Sequence, residues 1–141
     1  MLCVPLGDDV FNSQFVEGKL LGRLHDTVSK LVEFEDTQAA TYLLRVSFSI
    51  VRAVHFMRTT PLNQWQQQAT KFDSMIRKAI ESILCSPMDD LTFSQACLTP
   101  RLGGLDLRTV SEHANFAYHA SWHEAQKTAG FPKPSGLRGI V

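Results

Sequence analysis

From Val10 onward, apolar residues recur at threes and fours: Val10, Phe11, Phe15, Val16, Leu20, Leu21, Leu24, Val28, Leu31 and Val32. That spacing predicts a helix of roughly 20–25 residues with one apolar stripe. Asp8-Asp9 offers an N-cap and a favourable charge at its start. Gly18 and Gly22 each weaken it by about 1 kcal/mol relative to Ala, so packing against the rest of the chain must hold it. A second helix is expected over roughly 37–58, opened by Asp36 or Thr37 and stopped before Pro61. Tyr42, Leu43, Leu44, Val46, Phe48, Ile50, Val51, Val54 and Phe56 make it apolar on most sides, which predicts the central helix of the core. A third runs from about Leu62 to Leu84, with an apolar face from Trp65 through Ile83 and a polar face rich in Gln.

Ser86-Pro87 stops that helix, and Asp89-Asp90 opens a shorter fourth one to about Cys97. Residues 98–108 then interrupt the helical pattern with Pro100, the pair Gly103-Gly104, and leucines at alternate positions, Leu105 and Leu107. Pro100 blocks a helix, and the glycines permit positive φ or close approach to another surface, so Pro100, Gly103 and Gly104 read as a structural hinge. A fifth, Ala-rich helix starts at Thr109 or Ser111 and runs to about Lys127. Leu2 to Leu6 is strand-like but has no second strand to pair with, and residues 130–141 form a Pro/Gly-rich tail. The expectation is all-α: about five helices in one domain over residues 1–129.

Composition changes this picture little. The 141 residues are 44% hydrophobic and 20% charged, ordinary globular values. The net charge of zero argues against strong non-specific attraction of the whole chain to nucleic acid or membrane. The charges are unevenly spread, however. Residues 1–38 hold seven acids and three bases, and residues 39–84 hold two acids and six bases. Three cysteines, Cys3, Cys85 and Cys97, form no CxxC pattern and fit a reduced, intracellular protein. The N-terminus is too short and uncharged for a signal peptide, and Arg45, Arg52 and His55 interrupt the longest apolar run, so no membrane span is expected.

The basic middle carries the candidate chemistry. At about 100° per residue, Arg45, Arg52 and His55 fall within roughly 80° of one another on the second helix. Arg58 follows at its end, Lys71 lies on the third helix, and Arg101 and Arg108 flank the glycine loop. Arginines on an otherwise apolar helix must reach polar groups, because an unpaired buried charge is very costly. Phosphates are one answer. Internal pairing with Glu17, Asp26 and Glu33 of the acidic first helix is the other, and the sequence leaves the two open. The loop at Gly103-Gly104 could cradle a phosphate ahead of the fifth helix, although such loops more often turn the chain and insert leucines into the core.

His119 and His123 stand four apart, but Trp122 occupies the place of the HExxH glutamate, and the spacing of Cys85 and Cys97 fits no zinc pattern. No metal or cofactor is expected. Cys97 with His113 is a weaker nucleophile reading, and GxSxG, P-loop and GxGxxG motifs are absent.

Several of these segments, in this order and spacing, resemble the C-terminal part of a reverse transcriptase from a non-LTR (LINE-type) retrotransposon. They are Val4-Pro5-Leu6-Gly7, Leu43-Leu44-Arg45, His55-Phe56-Met57-Arg58-Thr59 with Pro61, and Phe72-Asp73. The most specific is Leu98-x-Pro100-x-x-Gly103-Gly104-Leu105-x-Leu107-Arg108, followed by Ala117-Tyr118-x-Ala120-Ser121. The resemblance spans about residues 2 to 125. It implies a helical thumb and post-thumb linker that lies beside an RNA–DNA or RNA duplex and contacts its backbone, with Arg45, Arg52 and Arg58 facing nucleic acid. The family's palm aspartates have no counterpart, since neither Asp8-Asp9 nor Asp89-Asp90 has the Tyr/Phe-x-Asp-Asp setting. Asp106 stands where the family has another glycine. The expectation is a non-catalytic fragment or relic with weak, salt-sensitive, sequence-independent duplex binding. A surface left by the missing palm would favour self-association. The alternative is a helical protein-interaction or purely structural domain.

Overall fold

A computed structural model describes residues 5–130. Leu2 to Val4 of the expected strand and the tail beyond Gly130 lie outside them; Pro5 and Leu6, which lie inside, are not in a strand. The described residues are all-α, with no strand among them, and their helices form five rods. The first rod joins α1 (Asp9–Val16) to α2 (Gly22–Val32) through a π-helical turn at Glu17–Leu21. Asp8 caps it by accepting from the Phe11 amide at 2.9 Å. Gly18 and Gly22 face open space. They serve no close approach, and the rod is held by Leu20, Leu21 and Leu24, which are buried.

Asp36 caps the second rod, accepting from the amides of Gln38 and Ala39. This rod is α3 (Thr37–Leu43), a second π turn at Leu44–Phe48, and α4 (Ile50–Thr59), broken at Ser49 where ψ is −136°. It is not the fully buried helix that its composition suggests. Tyr42 is 58% exposed and Val51 54%, while Leu44, Ala53, Phe56 and Met57 are buried. A π turn carries one extra residue, which turns the side chains after it by about 100° relative to continuous α-helix. The apolar residues are thereby divided between the core and the surface.

The centre of the fold is α5 (Gln66–Leu84). Ala69, Phe72, Ile76, Ala79, Ile80 and Ile83 are buried along it, and it packs against α2, α3 and α7 (Val110–Ala129). A 3-10 turn at Leu62–Gln64 and the non-helical Trp65 (φ −145°, ψ 25°) precede it. Trp65 is fully buried and donates its indole N–H to the Thr60 carbonyl at 3.2 Å. Cys85 ends α5 in the left-handed region, φ 51°. The short α6 (Asp90–Ala96) is capped by Asp89, which accepts from the Thr92 amide, and is fastened to α5 through Arg77. That guanidinium bonds Asp90 at 2.7 Å, Glu81 at 3.4 Å and the Met88 carbonyl, and lies over the Phe93 ring.

Two exposed carboxylates, Glu17 and Asp89, are held below their ordinary values by polar contacts. Lys71 donates to Glu17 at 2.8 Å and holds that carboxyl below its ordinary value of 4.5. Hydrogen bonds from Thr92 hold Asp89 below 3.8. A depressed folded-state pKa contributes stability that is present above the unfolded value and lost as pH falls through the folded one. The contribution of these two carboxylates to the melting temperature should therefore be constant from neutrality to about pH 5 and fall below about pH 4. Glu17→Gln should make that fall shallower, and an unchanged acid limb would remove Glu17 from the account.

Candidate functional site

Residues 98–108 form a loop closed by its own backbone hydrogen bonds. A 3-10 turn at Pro100–Leu102 leads to Gly103 at φ 80°. The chain then folds back, and the amides of Leu105 and Asp106 donate to the carbonyls of Ala96 and Leu98 at 2.9 and 2.8 Å. Leu107 is buried and Leu105 packs on the core, so the loop inserts its leucines as such loops usually do. The helix terminus beyond it is not open to phosphate. Asp73 of α5 accepts from the Val110 amide at 2.7 Å, the Ser111 amide at 3.0 Å and the Ser111 hydroxyl at 2.6 Å. A carboxylate of the chain's own already stands where the N-terminal amides of α7 attract an anion.

The basic residues are dispersed. Arg58 pairs with Glu124 of α7 at 3.4 Å, Lys71 with Glu17, and Arg108 with Asp106 at 3.3 Å. Arg45 lies over the Tyr42 ring, 5.6 Å from its centroid, and Arg101 is exposed. Internal pairing with the first rod therefore holds for Lys71. It does not hold for Arg45, Arg52 or Arg58, none of which bonds Glu17, Asp26 or Glu33.

Two of the expected residues do converge. Arg52 and His55, three apart on α4, form one wall of a cleft of about 200 Å³ between the first and second rods. Lys19, Arg23 and Thr27 form the other wall. Leu20, Leu24 and Phe56 are buried beneath them and, with Phe48, make an apolar floor. Both π turns border the cleft, contributing Lys19 and Leu20 from one rod and Phe48 from the other. The break at Ser49 leaves the Ser47 carbonyl exposed to a side chain, and Arg52 Nε donates to it at 3.1 Å. The Arg52 guanidinium also lies 5.1 Å from the Phe48 ring centroid. No carboxylate lines the cleft, and among the described residues Lys19, Arg23 and Arg52 form no ion pair.

Comparison of the chain with protein-family models, curated proteins and solved structures finds no match. Three permanent cations and an imidazole facing one another across an apolar floor focus a positive potential, and an anion placed among them relieves their mutual repulsion. Among the described residues no three His, Cys, Asp or Glu side chains gather as metal ligands. No described helix is long and apolar enough to cross a membrane.

Lys19 and Arg23 belong to the segment whose overall charge reads as acidic. Their signal was local: they stand four apart, next to Leu20 and Leu24 at the same spacing, so both share the edge of the buried stripe.

Proposed function

We propose that this is a non-catalytic helical domain that binds the phosphate backbone of an RNA–DNA or RNA duplex, weakly and without sequence preference. The observation that carries the reading is the cleft walled by Lys19, Arg23, Arg52 and His55 with no carboxylate in its lining. The resemblance to the thumb and linker of a LINE-type reverse transcriptase points the same way. The paired aspartates do other work: Asp8 and Asp89 accept from backbone amides as helix caps.

The test is a fluorescence-anisotropy titration of the chain against a labelled RNA–DNA duplex at two salt concentrations. Counterion release predicts that affinity falls about threefold per neutralised phosphate between about 50 and about 200 mM salt. Arg52→Ala should weaken binding and cost under about 1 kcal/mol of stability, because its guanidinium is exposed and its stack on Phe48 is a surface cation–π contact. Salt-independent binding, or none at low salt from a folded chain, would sink the proposal.

A second reading, a helical protein-interaction domain, rests on a different observation. Phe116 is 74% exposed and Trp122 44% on α7, and Leu91 is 79% exposed on α6. Large exposed apolar side chains are what a partner or a second copy would cover. Concentration-dependent sedimentation together with absent duplex binding would favour it.

A further inference from the structure

We infer that the cleft is a receptor for a single phosphomonoester, the terminal phosphate of a nucleic-acid strand. This rests on the backbone-binding reading above and narrows it to one group on the ligand.

Size comes first. The cleft, at about 200 Å³, is smaller than the roughly 300–1,000 Å³ of pockets that enclose drug-sized ligands. A duplex is a convex rod whose internal phosphates are flanked by chain on both sides. An internal phosphate of such a rod can lie across the mouth of the cleft, whereas a group projecting from a strand end can also enter between the walls and reach the apolar floor.

Charge agrees. An internal phosphodiester carries one negative charge, whereas a phosphomonoester carries about −1.5 to −2 at neutral pH, with three strong acceptor oxygens. The walls offer three permanent cations plus the imidazole of His55, more than a diester can use. Lys19 and Arg23 come from the first rod and Arg52 and His55 from the second, so donors from both rods line the same small cleft.

The cleft is also preorganised. Arg52 is held by its stack on Phe48 and by the bond from Nε to the Ser47 carbonyl. That geometry commits Nε to the protein and leaves the terminal nitrogens without a partner among the described residues. A guanidinium fixed in this way loses little freedom on gripping two phosphate oxygens. Beneath it, Leu20, Leu24 and Phe56 exclude water from one side of the bound group, which strengthens each charge contact.

The experiment uses the full chain and two labelled RNA–DNA duplexes, identical except for a 5′-phosphate or a 5′-hydroxyl on the labelled strand. The phosphorylated end should bind at least about tenfold tighter at low salt. Arg52→Gln should abolish the preference. Arg23→Gln, which disturbs no contact within the fold, should do the same with the melting temperature unchanged. Lys30→Gln, on α2 but outside the cleft, should leave the preference intact. Equal affinity for the two ends overturns this inference while the backbone-binding reading stands. Binding to a phosphoserine peptide but to neither duplex overturns the strand-end assignment and the duplex reading together. Failure to bind either duplex or the phosphopeptide overturns the receptor itself.

Discussion

Replacing Gly104 by alanine should unfold this protein or come close to it. A Cβ there would overlap the carbonyl oxygen and carbon of Leu98 and stand 2.7 Å from the Gln95 carbonyl oxygen. All three are backbone atoms fixed by the bonds that fold residues 98–108 back on α6. No rotamer change can relieve the overlap, so the cost should reach at least about 4 kcal/mol, a large part of a small domain's stability. The neighbouring glycine supplies the control. A Cβ on Gly103 meets only the Gln95 side-chain nitrogen at 3.8 Å, although φ there is +80°. Gly103→Ala should therefore cost only about 1–2 kcal/mol, for the left-handed backbone. Gly22→Ala, on a helix face with open space around it, should stabilise by about 1 kcal/mol. Urea denaturation of the three variants checks the order. If Gly104→Ala melts with Gly103→Ala, the close approach is not what that glycine is for.

The second large effect is expected at Asp73. Its carboxylate takes two backbone amides and a hydroxyl at the start of α7, from a position 37 and 38 residues earlier in the chain. Thr109, which stands at the N-cap, donates its own hydroxyl to Glu112 and leaves the first amides to Asp73. Asp73→Ala should cost about 3 kcal/mol, combining the lost cap with lost hydrogen bonds to a charged acceptor. Asp73→Asn keeps one acceptor oxygen and should cost about half as much. Amide exchange at Val110 and Ser111 gives a second readout, because those protons should lose protection before the rest of α7. A loss of stability under about 0.5 kcal/mol for Asp73→Ala, within the range of an ordinary surface change, would contradict the role assigned to it.

The rods were legible because their ends carry local signals. Asp8, Asp36 and Asp89 cap where the sequence places them, and Pro61, Ser86-Pro87 and Gly130 stand where helices stop. The interior of the second rod was not legible. Hydrophobic periodicity assumes one unbroken helical period, and the π turn at Leu44–Phe48 and the break at Ser49 violate it without a proline or glycine to announce them. Thus Val46, Val51 and Val54, which read as core, face outward. The site was half legible. Arg52 and His55 share a face by simple spacing, whereas Lys19 and Arg23 were hidden by summing charge over a segment in which seven acids outnumber three bases. A segment total says nothing about which face of a helix each charge occupies. Asp73 was beyond reach for another reason: a cap donated across 37 residues leaves no pattern in the neighbourhood of the helix it serves.

The closed form of residues 98–108 also bears on how the chain can be handled. A surface segment with a proline and two glycines is where one would ordinarily splice in a tag, a fluorophore-bearing peptide or a new pair of termini. Here every added atom would have to displace backbone already bonded to Ala96, Leu98 and Thr99. The turn between the first two rods is different: Phe34 and Glu35 are exposed, and Asp36 re-initiates a helix by itself. Splicing between Phe34 and Glu35 leaves the loop, the α7 cap and both walls of the cleft untouched.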